Sequence, residues 1–202
     1  MSRVPLAEYR KKRRFARTPE PKGSARPVPS ARRLFVIQKH RATALHYDFR
    51  LEANGVLVSW AVPKGPSLDP AQKRLAMAVE DHPIEYARFE GVIPEGEYGG
   101  GTVMVWDIGT YELEEGDDFA AAYAKGRLTF ALHGKKLKGT WSLIRTRGQR
   151  QWLLFKRTDR YASKDVDITE TKPRSVVSRR LLASIARDEG GDVKKAATGD
   201  PR

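Results

Sequence analysis

His40-Arg-Ala-Thr-Ala-Leu-His46-Tyr47-Asp48-Phe49-Arg50-Leu51-Glu-Ala-Asn54-Gly55 is the stretch on which the reading of this chain turns. From His46 to Leu51 polar and apolar residues alternate, which is the period of a half-buried strand. His46, Asp48 and Arg50 then project from one face, and Tyr47, Phe49 and Leu51 from the other. Asn54-Gly55 suits a two-residue type I′ turn, which needs positive φ at both central positions, so Val56–Val62 is expected to return antiparallel. The turn sets the register. Tyr47 falls opposite Val62, Phe49 opposite Trp60 and Leu51 opposite Val58, while on the other face Asp48 meets Ala61 and Arg50 meets Ser59. One face is bulky and apolar. The other sets an imidazole, a carboxylate and a guanidinium beside small residues, with open space expected between them.

Outward from this hairpin, short apolar runs recur between turn residues: Leu34–Gln38, Leu75–Val79, Thr102–Asp107, Thr110–Leu113, Leu128–Leu132, Thr140–Thr146 and Gln151–Lys156. Strands of this length and spacing predict a mainly β fold, a compact closed antiparallel barrel with one or two short helices and flexible basic arms. A helix is expected over Phe119–Lys125, capped by Asp117 or Asp118, and Val177, Leu181 and Ile185 predict an amphipathic helix over 175–187. Three parts follow: a basic, largely disordered arm over 1–33, a barrel domain over 34–160 and a polar extension over 161–202, disordered from Asp188.

The charge is uneven. Of the formal +13, residues 1–33 carry +9, residues 34–159 carry +1 and residues 160–202 carry +3. A basic arm on a nearly neutral body is expected to attract phosphates without regard to base sequence. The absence of cysteine excludes disulfides and thiolate metal sites and suits a reducing cytosol. No apolar h-region opens the chain and no run is long enough to span a bilayer, so a cytoplasmic protein without membrane contact is expected, and a monomer.

His40, His46 and Asp48 offer an N/N/O ligand set that suits manganese, iron(II) or zinc and leaves coordination positions open. Around them stand candidate phosphate-binding groups: Arg50, whose planar fork matches a phosphoryl group, Lys64 in the turn after the hairpin, and Arg74 at the start of the next strand. His82, just before Pro83, reads equally as a ligand, a phosphate contact, a general acid or a histidine satisfied by its neighbours. His133 reads as a turn residue. The glycine-rich run Gly91–Thr102 lacks the Gly-Lys-Ser/Thr ending of a P-loop and reads as a tight turn into a strand.

With these residues on the page, the chain resembles the 3′-phosphoesterase domain of bacterial ligase D, the DNA repair ligase of non-homologous end joining, in a free-standing form. The matching stretches are Phe35–Leu51, Ser59–Ser67, Glu80–Tyr86 and Phe89–Tyr98, continued at Trp106-Asp107 and Trp152–Lys156. The resemblance implies a manganese-dependent hydrolase, with Co2+ or Zn2+ as substitutes, acting on DNA or RNA/DNA 3′ ends at primer–template junctions. It removes a terminal ribonucleoside and then the remaining 3′-phosphate, leaving a 3′-hydroxyl. The resemblance also implies that His40, His46 and Asp48 hold the metal and that Arg50, His82, Tyr86, Lys64 and Arg74 are catalytic. Arg13, Glu20 and Gln38 contact substrate, and a separate ligase or polymerase and a Ku-like protein are partners. One departure stands out: Arg14 occupies the place of the acid usual before the arm's Phe15. Two rivals remain, a non-catalytic nucleic-acid-binding barrel and a non-haem iron(II) oxygenase built on His46, Asp48 and a distal His82 or His133.

Overall fold

A computed structural model describes residues 6–24 and 33–201. Strands β1 (Leu34–Arg41), β2 (Leu45–Ala53), β3 (Val56–Val62), β4 (Arg74–Ala78), β7 (Gly101–Leu113), β8 (Arg127–Gly134), β9 (Lys138–Arg145) and β10 (Gln151–Lys156) form an antiparallel barrel. They run in the order β1-β2-β3-β4-β10-β9-β8-β7, and pairing of β7 back onto β1 closes the ring of eight. Two short strands lie outside it, β5 (His82–Pro83) on β3 and β6 (Gly91–Ile93) on β7. The runs expected at Thr102–Asp107 and Thr110–Leu113 are one long strand.

The hairpin adopts the expected register at all five pairs, with Asn54 at φ 51° and Gly55 at φ 80°. A second hairpin pairs β1 with β2 so that His40 lies opposite His46 and Gln38 opposite Asp48. Inward-facing residues fill the barrel. Trp60, Trp106, Trp141 and Trp152 are all fully buried there, joined by Phe49, Phe130 and aliphatics from every ring strand. Where β1 meets β7 the register shifts between Ile37 and Gln38, a bulge that leaves Trp106 without a partner on β1. Helix α2 (Phe119–Lys125) starts where expected, with Asp118 accepting from the Ala121 amide.

The ends of the chain differ from the expectation of flexible, disordered arms. Residues 6–24 lie packed on the outer face of the barrel. Tyr9, in helix α1 (Ala7–Lys11), is fully buried and donates to the Pro21 carbonyl at 2.6 Å. A second apolar cluster, with Leu6, Tyr9, Val36, Leu57, Tyr86 and Val105, seals this contact. Arg-rich composition predicts disorder when the charges have no partners, and here long-range partners exist. Residues 1–5 and 25–32, also within the expected arm, lie outside the described residues.

At the other end, three short helices follow the last strand: α3 (Ile168–Thr171), α4 (Leu182–Asp188) and α5 (Val193–Ala197). The expected helix 175–187 begins only at Leu182, because the Ser175 hydroxyl captures the Val177 and Ser178 amides and Arg179 turns at φ 66°. Val177 is therefore exposed, while Leu182, Ile185 and Ala186 enter the barrel core. The segment after Asp188 is held too: the Asp200 carboxylate accepts from the Leu182 and Ala183 amides, both at 2.9 Å. Among the described residues no helix is long and apolar enough to cross a membrane.

Truncating a buried aromatic costs about 3–5 kcal/mol. Tyr9→Ala is therefore expected to release residues 6–24 to limited proteolysis while the barrel, folded on its own core, stays resistant. Equal resistance of wild-type and variant segments would show that the arm is held by its charges alone.

Candidate metal and phosphate site

The site lies on the outside of the barrel, on the outward faces of β1, β2 and β3. Its base is the row His46, Asp48 and Arg50, flanked by Gln38 and His40 from β1 and by Ser59 and Ala61 from β3. A cleft of about 240 Å³ opens above them. Its walls come from Arg13 of the N-terminal segment, Glu80 and His82, Tyr86 of a 3-10 turn (Ile84–Arg88), and the loop carrying Tyr98 and Gly99. Larger hollows of about 580 and 480 Å³ lie elsewhere on the surface, but the one cluster with metal-ligating geometry among the described residues is here.

That cluster is His40, His46 and Asp48, whose ligand atoms lie within 4.8 Å of one another. Backbone carbonyls orient both rings. His40 Nε2 lies 2.8 Å from the Gly99 carbonyl, and His46 Nδ1 lies 3.1 Å from that of Ala44. Each carbonyl demands an N–H, which leaves lone pairs on His40 Nδ1 and His46 Nε2. Both atoms face Asp48 Oδ2 at 3.6 Å. Two donors bonded at about 2.1 Å to a shared ion and ~110° apart sit ~3.4 Å from each other, so the spacing fits a bound cation. The carbonyl–imidazole pairs are the outer support such ligands usually carry. His40, the ligand least secured by spacing in the sequence, is placed by direct cross-strand pairing with His46.

Arg50 is 2% exposed. Its Nε donates to Gln38 Oε1 at 2.8 Å, Nη1 to Ser59 Oγ at 2.9 Å, and Nη2 approaches Asp48 Oδ2 at 3.3 Å. Three of five N–H groups are thereby used, leaving one on each Nη for an oxyanion in the cleft. The Ser59 side chain thus does not leave open space beside Arg50 as expected; its hydroxyl fills the place of a partner. Gln38 spends its whole amide, donating to the Tyr86 and Phe89 carbonyls at 2.9 Å while accepting from Arg50. It fixes Arg50 and has no group left for the substrate contact expected of it. Burial alone would raise the Asp48 pKa, but Arg50, His40 and His46 hold it well below the usual carboxylate range.

Arg13 forms the opposing wall. Its guanidinium meets Glu20 at 2.8 Å, Glu80 at 3.3 Å and the Tyr9 carbonyl at 3.2 Å, and Nη2 lies 3.2 Å from His82 Nε2. His82 Nδ1 lies 2.9 Å from the Glu80 carbonyl, so the ring carries its proton there and accepts from Arg13 at Nε2. Burial, then Arg50 and Arg13, depress the His82 pKa well below the imidazole range. It is a neutral acceptor. Tyr86 packs beneath, its hydroxyl donating to Glu20 at 2.9 Å and its ring 5.0 Å under the Arg50 guanidinium.

Lys64 and Arg74 do not line the cleft. Lys64 is exposed in the turn after β3, and Arg74 shares the β4 face of Ala76 and Ala78, which packs on the barrel interior. The second guanidinium of the cleft comes from Arg13 instead. Arg14, the departure in the arm, reaches across to Glu97 at 2.8 Å. His133 is exposed, 3.9 Å from Glu112 on β7 and apart from the cluster, and His82 Nε2 is engaged by Arg13, so neither stands as the distal ligand of an oxygenase triad. Glu80, Ser59 and Tyr98 were given no site role from sequence; strand parity marked only Ser59.

Comparisons with known proteins relate the chain to one family. A family model described as the DNA Ligase D 3′-phosphoesterase domain matches residues 38–145. The multifunctional non-homologous end joining protein LigD of Pseudomonas aeruginosa is 54% identical over 187 residues, covering 90% of this chain and 22% of that protein. The LigD DNA repair protein of Mycobacterium tuberculosis is 50% identical over 148 residues, 73% of this chain and 19% of that one. For the LigD of Mycolicibacterium smegmatis the figures are 43% over 171 residues, 80% and 22%. The chain thus spans about a fifth of the length of these relatives.

The electrostatics set a pH dependence for cation binding. Burial opposes protonation of His46, but the hydrogen bond and charge of Asp48 outweigh it and raise its pKa above the ordinary imidazole value. A cation must displace that proton, so affinity is full above the raised pKa and falls tenfold per pH unit below it. Calorimetric titration of Zn2+ or Mn2+ between about pH 5 and pH 8 checks this, and a flat profile would contradict the ligand assignment.

Proposed function

The chain belongs to the family of the DNA ligase D 3′-phosphoesterase domain, and on that premise we propose that it heals 3′ ends of DNA in double-strand break repair by non-homologous end joining. The substrate is a DNA or RNA/DNA 3′ end at a primer–template junction, and the resident metal is Mn2+. A separate ligase or polymerase and a Ku-like protein in the cytoplasm complete the repair. The observation that carries the reading is the meeting of three lone pairs, on His40, His46 and Asp48, beside a buried guanidinium with two free N–H groups.

His40, His46 and Asp48 would hold a divalent ion, which would supply Lewis-acid polarisation of the phosphoryl group. The chain's own groups do the rest. Arg50, held rigid by Gln38, Ser59 and Asp48, presents its free N–H pair to the oxygens where negative charge grows. Arg13 keeps one N–H on Nη2 beyond its bonds to Glu20, Glu80, Tyr9 and His82. His82, neutral and bound to Arg13, orients that guanidinium rather than delivering a proton. Charge balance supports a phosphate ester: Arg13, Arg50 and Lys12 offset Asp48, Glu20 and Glu80, so a dication leaves a surplus matching a phosphate monoester dianion.

Hydrolysis joins a water oxygen to phosphorus and breaks one P–O ester bond. On a diester the bond to the terminal ribonucleoside breaks and a 3′-phosphate remains. On that monoester the P–O3′ bond breaks, O3′ takes a proton from solvent, and inorganic phosphate departs.

Phosphate release from a primer–template bearing a 3′-phosphate tests the reading. Release is expected with Mn2+ and not with chelator, and His46→Ala and Asp48→Ala should fall to background. Arg50→Lys, which cannot reproduce the planar fork, is expected to lose on the order of 10²–10³ in kcat. Unchanged turnover in the ligand variants would overturn the assignment, and salt-sensitive binding without product would favour a non-catalytic barrel.

A further inference from the structure

Tyr98 is 48% exposed, whereas Tyr9, Tyr47, Tyr86 and Tyr111 are at most 4% exposed. It stands at the rim of the cleft that holds the metal cluster. Its loop is rigid rather than loose. The Glu97 amide donates to Pro94 at 3.2 Å and the Gly100 amide to Glu97 at 3.0 Å, while Gly96 and Gly99 turn at φ 83° and 77°. A Cβ on Gly100 would fall 2.9 Å from the Pro94 carbonyl, so the turn admits no side chain there.

The next residue ties the loop to the chemistry. The Gly99 carbonyl is the partner of His40 Nε2, and its Cα packs within reach of the same ring, a Cβ there lying 3.6 Å from His40 Cε1. The backbone that carries Tyr98 is therefore tied to the His40 imidazole through the Gly99 carbonyl. Cations approach the Tyr98 ring: Lys12 Nζ lies 4.7 Å and the Arg13 guanidinium 5.6 Å from the ring centre, with Lys12 also 3.3 Å from the hydroxyl. A half-exposed aromatic ring flanked by cations beside a phosphate site is how single-stranded nucleic-acid sites hold a base.

We propose that Tyr98 is a stacking platform for the nucleobase of the 3′-terminal nucleotide, seating that base while its phosphate reaches the metal cluster and Arg50. The inference rests on the 3′-phosphoesterase reading and deepens it by assigning recognition of the terminal base. Stacking is indifferent to base identity, so the contact favours nucleotides over simple phosphate esters without selecting a sequence. Lys12 and Arg13, close to the ring, also add positive charge for the phosphates.

The test uses the full chain and two primer–templates with 3′-phosphates, one with an ordinary terminal nucleotide and one with a terminal abasic sugar. In the wild type, KM is expected to be on the order of tenfold to a hundredfold lower for the base-bearing end, and in Tyr98→Ala the two values should converge. Tyr98→Phe, which keeps the ring and loses only the hydroxyl's hydrogen bond from Lys12, should retain the difference. A 2-aminopurine as the terminal base reads stacking without turnover: its fluorescence should be quenched by wild type and Tyr98→Phe and not by Tyr98→Ala. Equal rises in KM on both substrates, or quenching that survives Tyr98→Ala, would overturn the proposal. Quenching that depends on Tyr98 with no phosphate released by the wild type would instead overturn the phosphoesterase reading and leave the platform standing.

Discussion

The Arg50 guanidinium, 2% exposed, imposes heavily on its surroundings. A buried charge is tolerated only when its charge and its N–H groups are answered. The answers come from three strands and a turn: Asp48 on β2 itself, Gln38 on β1, Ser59 on β3 and the Tyr86 ring beneath. Each partner is then committed in turn. Gln38 pins the Tyr86 and Phe89 carbonyls, and Asp48 joins the two imidazoles. Arg50 in this sense connects the cluster of His40, His46 and Asp48 to the wall of the cleft, and the geometry of either depends on the other.

The N-terminal segment extends the same network from outside the barrel. Arg13 would be an expensive group to bury alone, and Glu20, Glu80 and the Tyr9 carbonyl make it tolerable. Glu20 also takes the Tyr86 hydroxyl, so the two walls share a carboxylate. Lys12 ties the segment to Glu80, between β4 and β5, and Arg14 ties it to Glu97 in the loop of Tyr98. Without residues 9–20 the site would be an open patch on a barrel. With them it is a cleft with one guanidinium on each side.

Much of the barrel could be read before any coordinates because period-two patterning and Asn-Gly chemistry are local signals. The hairpin register followed from the turn alone, and with it the shared face of His46, Asp48 and Arg50. His40 was legible only as a neighbour in sequence, since its placement depends on the three-residue reversal 42–44 between β1 and β2. What escaped were long-range pairings that composition hides. Arg13 with Glu20 and His82, and Tyr9 against the barrel, look in sequence like a basic, proline-rich tail. Arg74 looked like a site cation because the parity of β4 relative to β3 cannot be counted across an irregular loop. In the C-terminal stretch, spacing of Val177, Leu181 and Ile185 suggested one helix, and the Ser175 hydroxyl delays it to Leu182.

Strand β2 carries its two duties on opposite sides of one backbone. Tyr47, Phe49 and Leu51 belong to the interior, and His46, Asp48 and Arg50 to the cleft. Neighbours along the chain are thus strangers in space, separated by the thickness of a sheet. A lineage could therefore exchange the chemistry of this barrel by drift at alternate positions, while its fold is inherited unaltered through the residues between them.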